Sequence, residues 1–316
     1  IKIKNVVDSE QDRKYESISN NQSIYYTSRY DVLLDWKKPN NRIAFPYYHG
    51  DPSSNIEFKT VFDSLCSHHE DIFRIQVTNT NMEQKILNSG INSEKVFRIP
   101  IGINLDYFNW TTPELCYIAR KKLGIPQSAV VIGSFQKDGN GWGQGLDPKL
   151  IKGPDILLKT IKILKPKVSE LFILLTGPAR GYVKNGLNGL GVPYKHKFLT
   201  DYSDIGFYYN ALDLYIITSR EEGGPKALLE SMSSGIPLIT TKVGQAIDLV
   251  NHGINGWMDD TWSAEGLAHW AKIAIENSSS IINILNNARK TAEENSYLNQ
   301  ISLWKNFMKG FVKFTD

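Results

Sequence analysis

At 316 residues the chain is longer than one hydrophobic core usually serves, which predicts two domains. Its 41% hydrophobic and 22% charged residues exclude a disordered or fibrous chain, and a net charge of +3, from 36 basic and 33 acidic residues, excludes the strongly basic balance of a nucleic-acid binder. Cys66 and Cys116 form no CxxC pair, so neither a disulfide framework nor a cysteine zinc site is expected.

Apolar, β-rich runs alternate with helical ones along the chain. Strands are expected at 1–7, 24–27, 31–34, 42–48, 73–77 and 96–101, with helices at 56–68 and 80–89. The stretch 102–112 is a connection, followed by a helix at 113–123 that Gly124 and Pro126 end. A second series follows: strand 129–134, a glycine-rich loop, helix 154–165, strand 171–176, helix 203–211, strand 213–218, helix 225–234 and strand 236–240. Helices around 264–277 and 280–294 come after it. Short apolar strands alternating with helices imply parallel sheets covered on both faces. The expected fold is therefore α/β, with two Rossmann-like domains facing a cleft, residues 1–108 and 109–316. Ligands then lie at the carboxyl ends of the strands.

No apolar run approaches the ~18 residues of a membrane helix, and no signal peptide is seen, so the expected location is cytoplasmic. The segment "YLNQISLWKNFMKGFVKF", residues 297–314, has its own amphipathic pattern. Trp304, Phe307, Met308, Phe311 and Val312 share one helical face, and Lys305, Lys309 and Lys313 form a basic row. Such a helix either crosses back to cover the N-terminal domain or makes a peripheral membrane contact. Crossing back is the expected role of 297–316.

The chemistry concentrates in "TSREEGGPKALLESMSSGIPLITT", residues 218–241. Glycines 223 and 224 bare the backbone just before a helix, where free N–H groups and the helix dipole attract an anion. Glu222 sits at the lip of this site and Glu230 two turns further in. Carboxylates accept paired hydrogen bonds from vicinal hydroxyls, so the pattern describes a diphosphate flanked by two polyols, as in a nucleotide sugar.

These residues resemble the signature of the group 1 (family 4) retaining glycosyltransferases of the GT-B fold, which carry two Glu separated by seven residues before a Gly-x-Pro stop. Other matching pieces are "KGPDILL" with Lys152, "ILLTGP" with Gly177, "VGQAIDLVNHGINGW" and "IPIGINLDYF". The resemblance covers roughly residues 75–260. It implies that Glu222 binds donor-sugar hydroxyls, Glu230 the ribose, and Ser219, Gly223, Gly224 and Gly177 the rest of the donor. Lys152 would neutralise the leaving diphosphate. The family's Arg after the strand 129–134 is missing, and Lys137 is the available substitute. His49 follows a strand end where the family often has an acceptor-side histidine. The family's glycine-rich loop after the first strand is also missing, since Gly50 is the first glycine, so the N-terminal domain is expected to be short or incomplete.

The implied activity is retaining transfer from a nucleoside diphosphate sugar to a glycan, a lipid-linked or another hydroxyl acceptor, with no metal and no cofactor. A non-catalytic sugar-nucleotide-binding protein and a sugar-nucleotide epimerase on the same fold are the alternatives. The donor base, the sugar and the acceptor are not legible.

Overall fold

The computed structural model of the chain describes residues 21–26, 41–54, 56–278 and 280–312. The strands expected at 1–7 and 31–34 lie outside the described residues. The chain divides into two units, one of residues 1–99 with 301–316, the other of residues 100–300.

In the first unit β1 (Ser23–Tyr25), β2 (Arg42–Pro46), β3 (Ile72–Val77) and β4 (Val96–Arg98) form a parallel sheet in that order. Helices Ile56–Ser67 and Thr80–Asn88 connect the strands. Ile43, Phe45, Ile75 and Val77 pack with Val61, Leu65 and Ile86 of these helices. Ala44 and Ile99 instead pack with Phe307 and Phe311. The helix Ile301–Met308 thus belongs to this unit, and Phe307 and Phe311 are its buried anchors.

The second unit holds six parallel strands: β5 (Val130–Phe135), β6 (Leu171–Thr176), β7 (Tyr194–Lys197), β8 (Leu214–Ile217), β9 (Leu238–Thr241) and β10 (Trp257–Asp259). Their order is β10-β9-β8-β5-β6-β7. Alternation along the strands splits the core in two. Val131, Leu174, Tyr215, Ile217 and Leu238 face one layer. Ile132, Ile173, Leu175, Ile216 and Ile239 face the other, where they meet Ile156, Leu157, Ile161 and Leu164 of the helix Pro154–Leu164. Every residue of β6 is buried, as a central strand covered on both faces requires. Chain order reverses between β5 and β8, and the crevice outside the carboxyl ends of such strands is where open α/β sheets take ligands.

Both boundaries differ from those expected. The segment 100–108 stays with the second unit, because Ile103 N donates to Asn295 O at 3.2 Å and Phe108 is buried in that unit's core. Residues 297–300 stay there too: Tyr297 N donates to Ile103 O at 2.9 Å and Gln300 Nε2 to Pro100 O at 3.0 Å. The first unit therefore ends at 99 rather than 108, and the returning segment starts at 301 rather than 297.

Candidate functional site

The loops after β5, β6 and β8 meet at the carboxyl edge of the second sheet. Gly153 fixes how two of them approach. It holds a left-handed φ of 63° directly before Pro154, and a Cβ there would overlap the Thr218 carbonyl oxygen. The Thr218 hydroxyl donates to Gly153 O at 2.9 Å, and Arg220 N to Ile151 O at 2.8 Å. Arg220 grips Asp155 with two bonds of 2.8 and 2.6 Å, which hold the Asp155 carboxyl below the usual carboxylate range although partial burial raises it. These ties bring the chain before helix Pro154–Leu164 against the chain after β8.

The result is a compact polar cluster. Lys152 Nζ donates to Glu222 Oε1 at 2.5 Å, and the Ser219 hydroxyl donates to the same oxygen at 3.0 Å. The two charged side chains are only 24% and 13% exposed. Beside them Gly224 leaves room for Gln245, whose Oε1 lies 2.5 Å from where a Cβ would stand. Gln245 N donates to Gly223 O at 3.0 Å, and its side chain accepts from Ile101 N at 2.9 Å. The loop 222–224 is thereby held from below, ahead of the helix Lys226–Ser233. Pro225 stands before the first turn as its cap, with φ −63° and ψ 115°, rather than within it.

Glu230 lies on that helix and is 5% exposed. Tyr202 donates to its Oε1 at 2.5 Å and Tyr209 to its Oε2 at 2.9 Å. Burial pushes the carboxyl above its ordinary range, against the downward pull of the two hydroxyls and of Lys226. Tyr209 is fully buried, whereas Tyr202 is half open to solvent.

The second sheet thus brings Lys152, Ser219, Glu222, Gly223, Gly224 and Glu230 onto two adjacent loops and one helix. Gly177 ends β6, and its carbonyl accepts from His196 Nε2 at 2.7 Å. Lys137 rests over the Trp142 ring, 3.7 Å from its centroid. His49 belongs to the first unit, where its ring meets Phe58 edge-on at 5.8 Å.

An arginine does reach the end of β5, though not from the stretch where the family pattern places one. Arg180 comes from the loop after β6, is fully buried, and donates to Ser134 O, Gln136 O and Thr176 O at 2.7–2.9 Å. It also pairs with buried Asp138 at 3.1 Å. Its hydrogen bonds go to these carbonyls and to the Ser134 hydroxyl at 3.2 Å, so it fixes the strand ends. Arg180, Gln245, Tyr202 and Tyr209 are absent from the sequence-based site. "TGPAR" and "VGQ" lie in matching pieces, but nothing in them marks these side chains as turned inward. Among the described residues no three His, Cys, Asp or Glu side chains are grouped so as to hold a metal ion.

In sequence, known proteins resemble the chain chiefly in the second unit. Residues 146–294 match the family described as Glycosyl transferases group 1. Over this segment the chain is similar to the group 1 glycosyl transferases. An uncharacterized glycosyltransferase of Haemophilus influenzae is 26% identical over 160 residues, 50% of this chain and 45% of that protein. The lipopolysaccharide core biosynthesis mannosyltransferase LpsB of Rhizobium meliloti is 26% identical over 142 residues, 43% of this chain and 38% of that protein. The chain thus spans under half the length of these curated relatives. Anabaena HepE, solved in complex with UDP and glucose, superposes with a TM-score of 0.69 at 21% identity, covering 87% of this chain and 72% of that one. Sucrose-phosphate synthase of Thermosynechococcus elongatus gives 0.70 at 17% identity, covering 94% and 73%. These superpositions show that the chain has the GT-B fold.

Proposed function

We propose that the chain transfers a sugar from a nucleoside diphosphate sugar to a hydroxyl acceptor, with retention at the anomeric carbon. One observation carries the reading: Lys152 and Ser219 converge on a single oxygen of Glu222, in the loop that leads into the helix Lys226–Ser233, whose first turn is followed by the buried carboxylate of Glu230. A cation and a carboxylate held together at a helix entrance match a donor that is anionic at its diphosphate and hydroxylated at its sugar. HepE in complex with UDP-glucose, at a TM-score of 0.70 and 20% identity, supports a donor of this class, and the mannosyltransferase relative supports sugar transfer.

In this reading the diphosphate lies against the backbone N–H groups at the start of helix Lys226–Ser233, where the dipole favours negative charge. Glu222 accepts from hydroxyls of the donor sugar. Glu230 accepts from the ribose diol once the half-exposed Tyr202 hydroxyl gives way. Charge grows on the diphosphate as the bond from the anomeric carbon to the phosphate oxygen breaks, and the Lys152 ammonium leaves Glu222 to neutralise it. The acceptor oxygen bonds to the anomeric carbon on the same face, and its proton passes to the departing phosphate oxygen. No divalent metal takes part.

The test is nucleotide release from a panel of nucleoside diphosphate sugars, with and without glycoside acceptors, in buffer and in EDTA. Transfer predicts acceptor-stimulated release that EDTA leaves unchanged. Binding without release would make the chain a sugar-nucleotide-binding protein, and loss of the rate in EDTA would overturn the metal-free step.

A further inference from the structure

The donor's sugar, diphosphate and ribose leave the loop 136–149, between β5 and Lys152, without a task. This loop is firmly built. Asn140 N donates to Asp147 O at 2.9 Å and Lys149 N to Asp138 O at 2.8 Å, which closes it on itself. Gly181 N and Tyr182 N, at the start of the helix Gly181–Leu190, donate to Gln144 O at 2.7 Å and Gly145 O at 2.8 Å. Gly145, at φ 72°, packs so closely on the Ala179 backbone that a Cβ would overlap it. Beneath lies the fully buried ion pair of Asp138 and Arg180. On this fixed base Trp142 stands 81% exposed.

A large ring on a rigid support presents a flat apolar face to a ligand, and here it stands beside the proposed donor loops. Lys137 holds the indole from one face, its Nζ 3.7 Å from the ring centroid. The other face is open. The root of the loop touches the proposed donor site, because Gln136 Nε2, one residue before Lys137, donates to Lys152 O at 3.1 Å.

We propose that Trp142 is the platform for a pyranose ring of the acceptor, with Lys137 as the residue that orients the indole. A pyranose has an apolar face of axial C–H groups, which packs on an aromatic face while its hydroxyls stay in water. Glu222 takes the donor's sugar and Glu230 its ribose in this reading, so a further sugar ring on Trp142 belongs to the second substrate, whereas a nucleobase stacked there would raise the donor KM in Trp142→Ala. An open platform also suits a glycan that must arrive and leave in each cycle. This inference rests on the transfer reading.

The test uses the full chain with a nucleoside diphosphate present, titrated with methyl glycosides of glucose, mannose, galactose and N-acetylglucosamine. Intrinsic tryptophan emission is expected to change with at least one of them, and the change is expected to vanish in Trp142→Phe. With that glycoside as acceptor, Trp142→Ala should raise the acceptor KM about tenfold, the loss of one stacking contact, while the donor KM stays within about twofold and Trp142→Phe recovers most of the effect. An emission change that persists in Trp142→Phe, silence with every glycoside, or an unchanged acceptor KM in Trp142→Ala overturns the platform. Nucleotide release by the wild-type protein, followed in parallel, separates the two ideas. Absence of release with every donor contradicts transfer, whereas release with an unaltered acceptor KM contradicts only Trp142.

Discussion

Lys152 and Glu222 neutralise one another at 2.5 Å while a donor would need both. Removing the Lys152 charge leaves the developing diphosphate charge without its partner, so Lys152→Ala should lower the rate of nucleotide release by ~10²–10³-fold. A rate within about threefold of wild type would show that Lys152 does not meet the leaving group. Glu230 makes a different prediction, because burial raises its carboxyl above the ordinary value of 4.5. A group whose folded pKa is raised favours the folded state while protonated. Its contribution is complete below pH 4.5 and is lost as pH rises through the raised value. Glu230→Gln removes that loss. The ligand-free variant should therefore melt above wild type at neutral pH, with the gap closing toward pH 4.5, as thermal melts across this range would reveal. A gap independent of pH would mean that the carboxylate carries no such strain. The same substitution should weaken nucleotide binding, since the neutral amide is a poorer acceptor for the ribose diol.

The elements that were legible are those whose residues report their own burial. The strand Leu171–Thr176 and the helix Pro113–Leu123 have the expected bounds, because one is apolar throughout and the other carries Thr112, Pro113 and Gly124 at its ends. The edge strand Tyr194–Lys197 escaped notice, since "YKHK" is half exposed and has no apolar run. The helix Gly181–Leu190 was hidden by its three glycines. The site divides in the same way. Glu222 and Glu230 are legible because their spacing and the glycines between them are local. Arg180, Gln245 and Tyr202 act through contacts with distant loops, and no local pattern encodes those. Gly153 stands between the two cases, in a "KGP" context that resembles the family's but with a role set by Thr218 across the gap. Gly153→Ala should cost about 2–4 kcal/mol, from left-handed strain and a backbone overlap together. It should also displace Lys152 and slow turnover. A wild-type melting temperature would show that the two loops separate freely.

For the whole molecule, the returning segment is the expectation with most at stake. Phe307 and Phe311 are buried with Ala44 and Ile99, and Tyr25, Phe97 and Trp304 surround Phe307 edge-on at 5.3–6.0 Å. Arg42 Nη1 donates to Gly310 O at 2.6 Å, tying the end of the segment to β2. Each buried phenylalanine stabilises by about 1.5–3 kcal/mol, a large share of what a small four-stranded unit has. Deleting 301–316 should therefore leave a protein that aggregates or lacks the first unit's melting transition. A soluble truncation that melts normally and no longer sediments with anionic vesicles would assign the segment to a membrane surface. No helix among the described residues is long and apolar enough to cross a membrane. The central claim is that Glu230 and the Lys152–Glu222 pair form a nucleoside diphosphate sugar site. Calorimetric titration of wild type and Glu230→Ala with UDP, GDP and ADP tests it most directly. The account predicts that one of the three binds the wild type and that Glu230→Ala weakens that binding by about tenfold or more, the loss of a charged hydrogen-bond acceptor. Equal affinity in the two proteins, or no binding of any of the three, would contradict it.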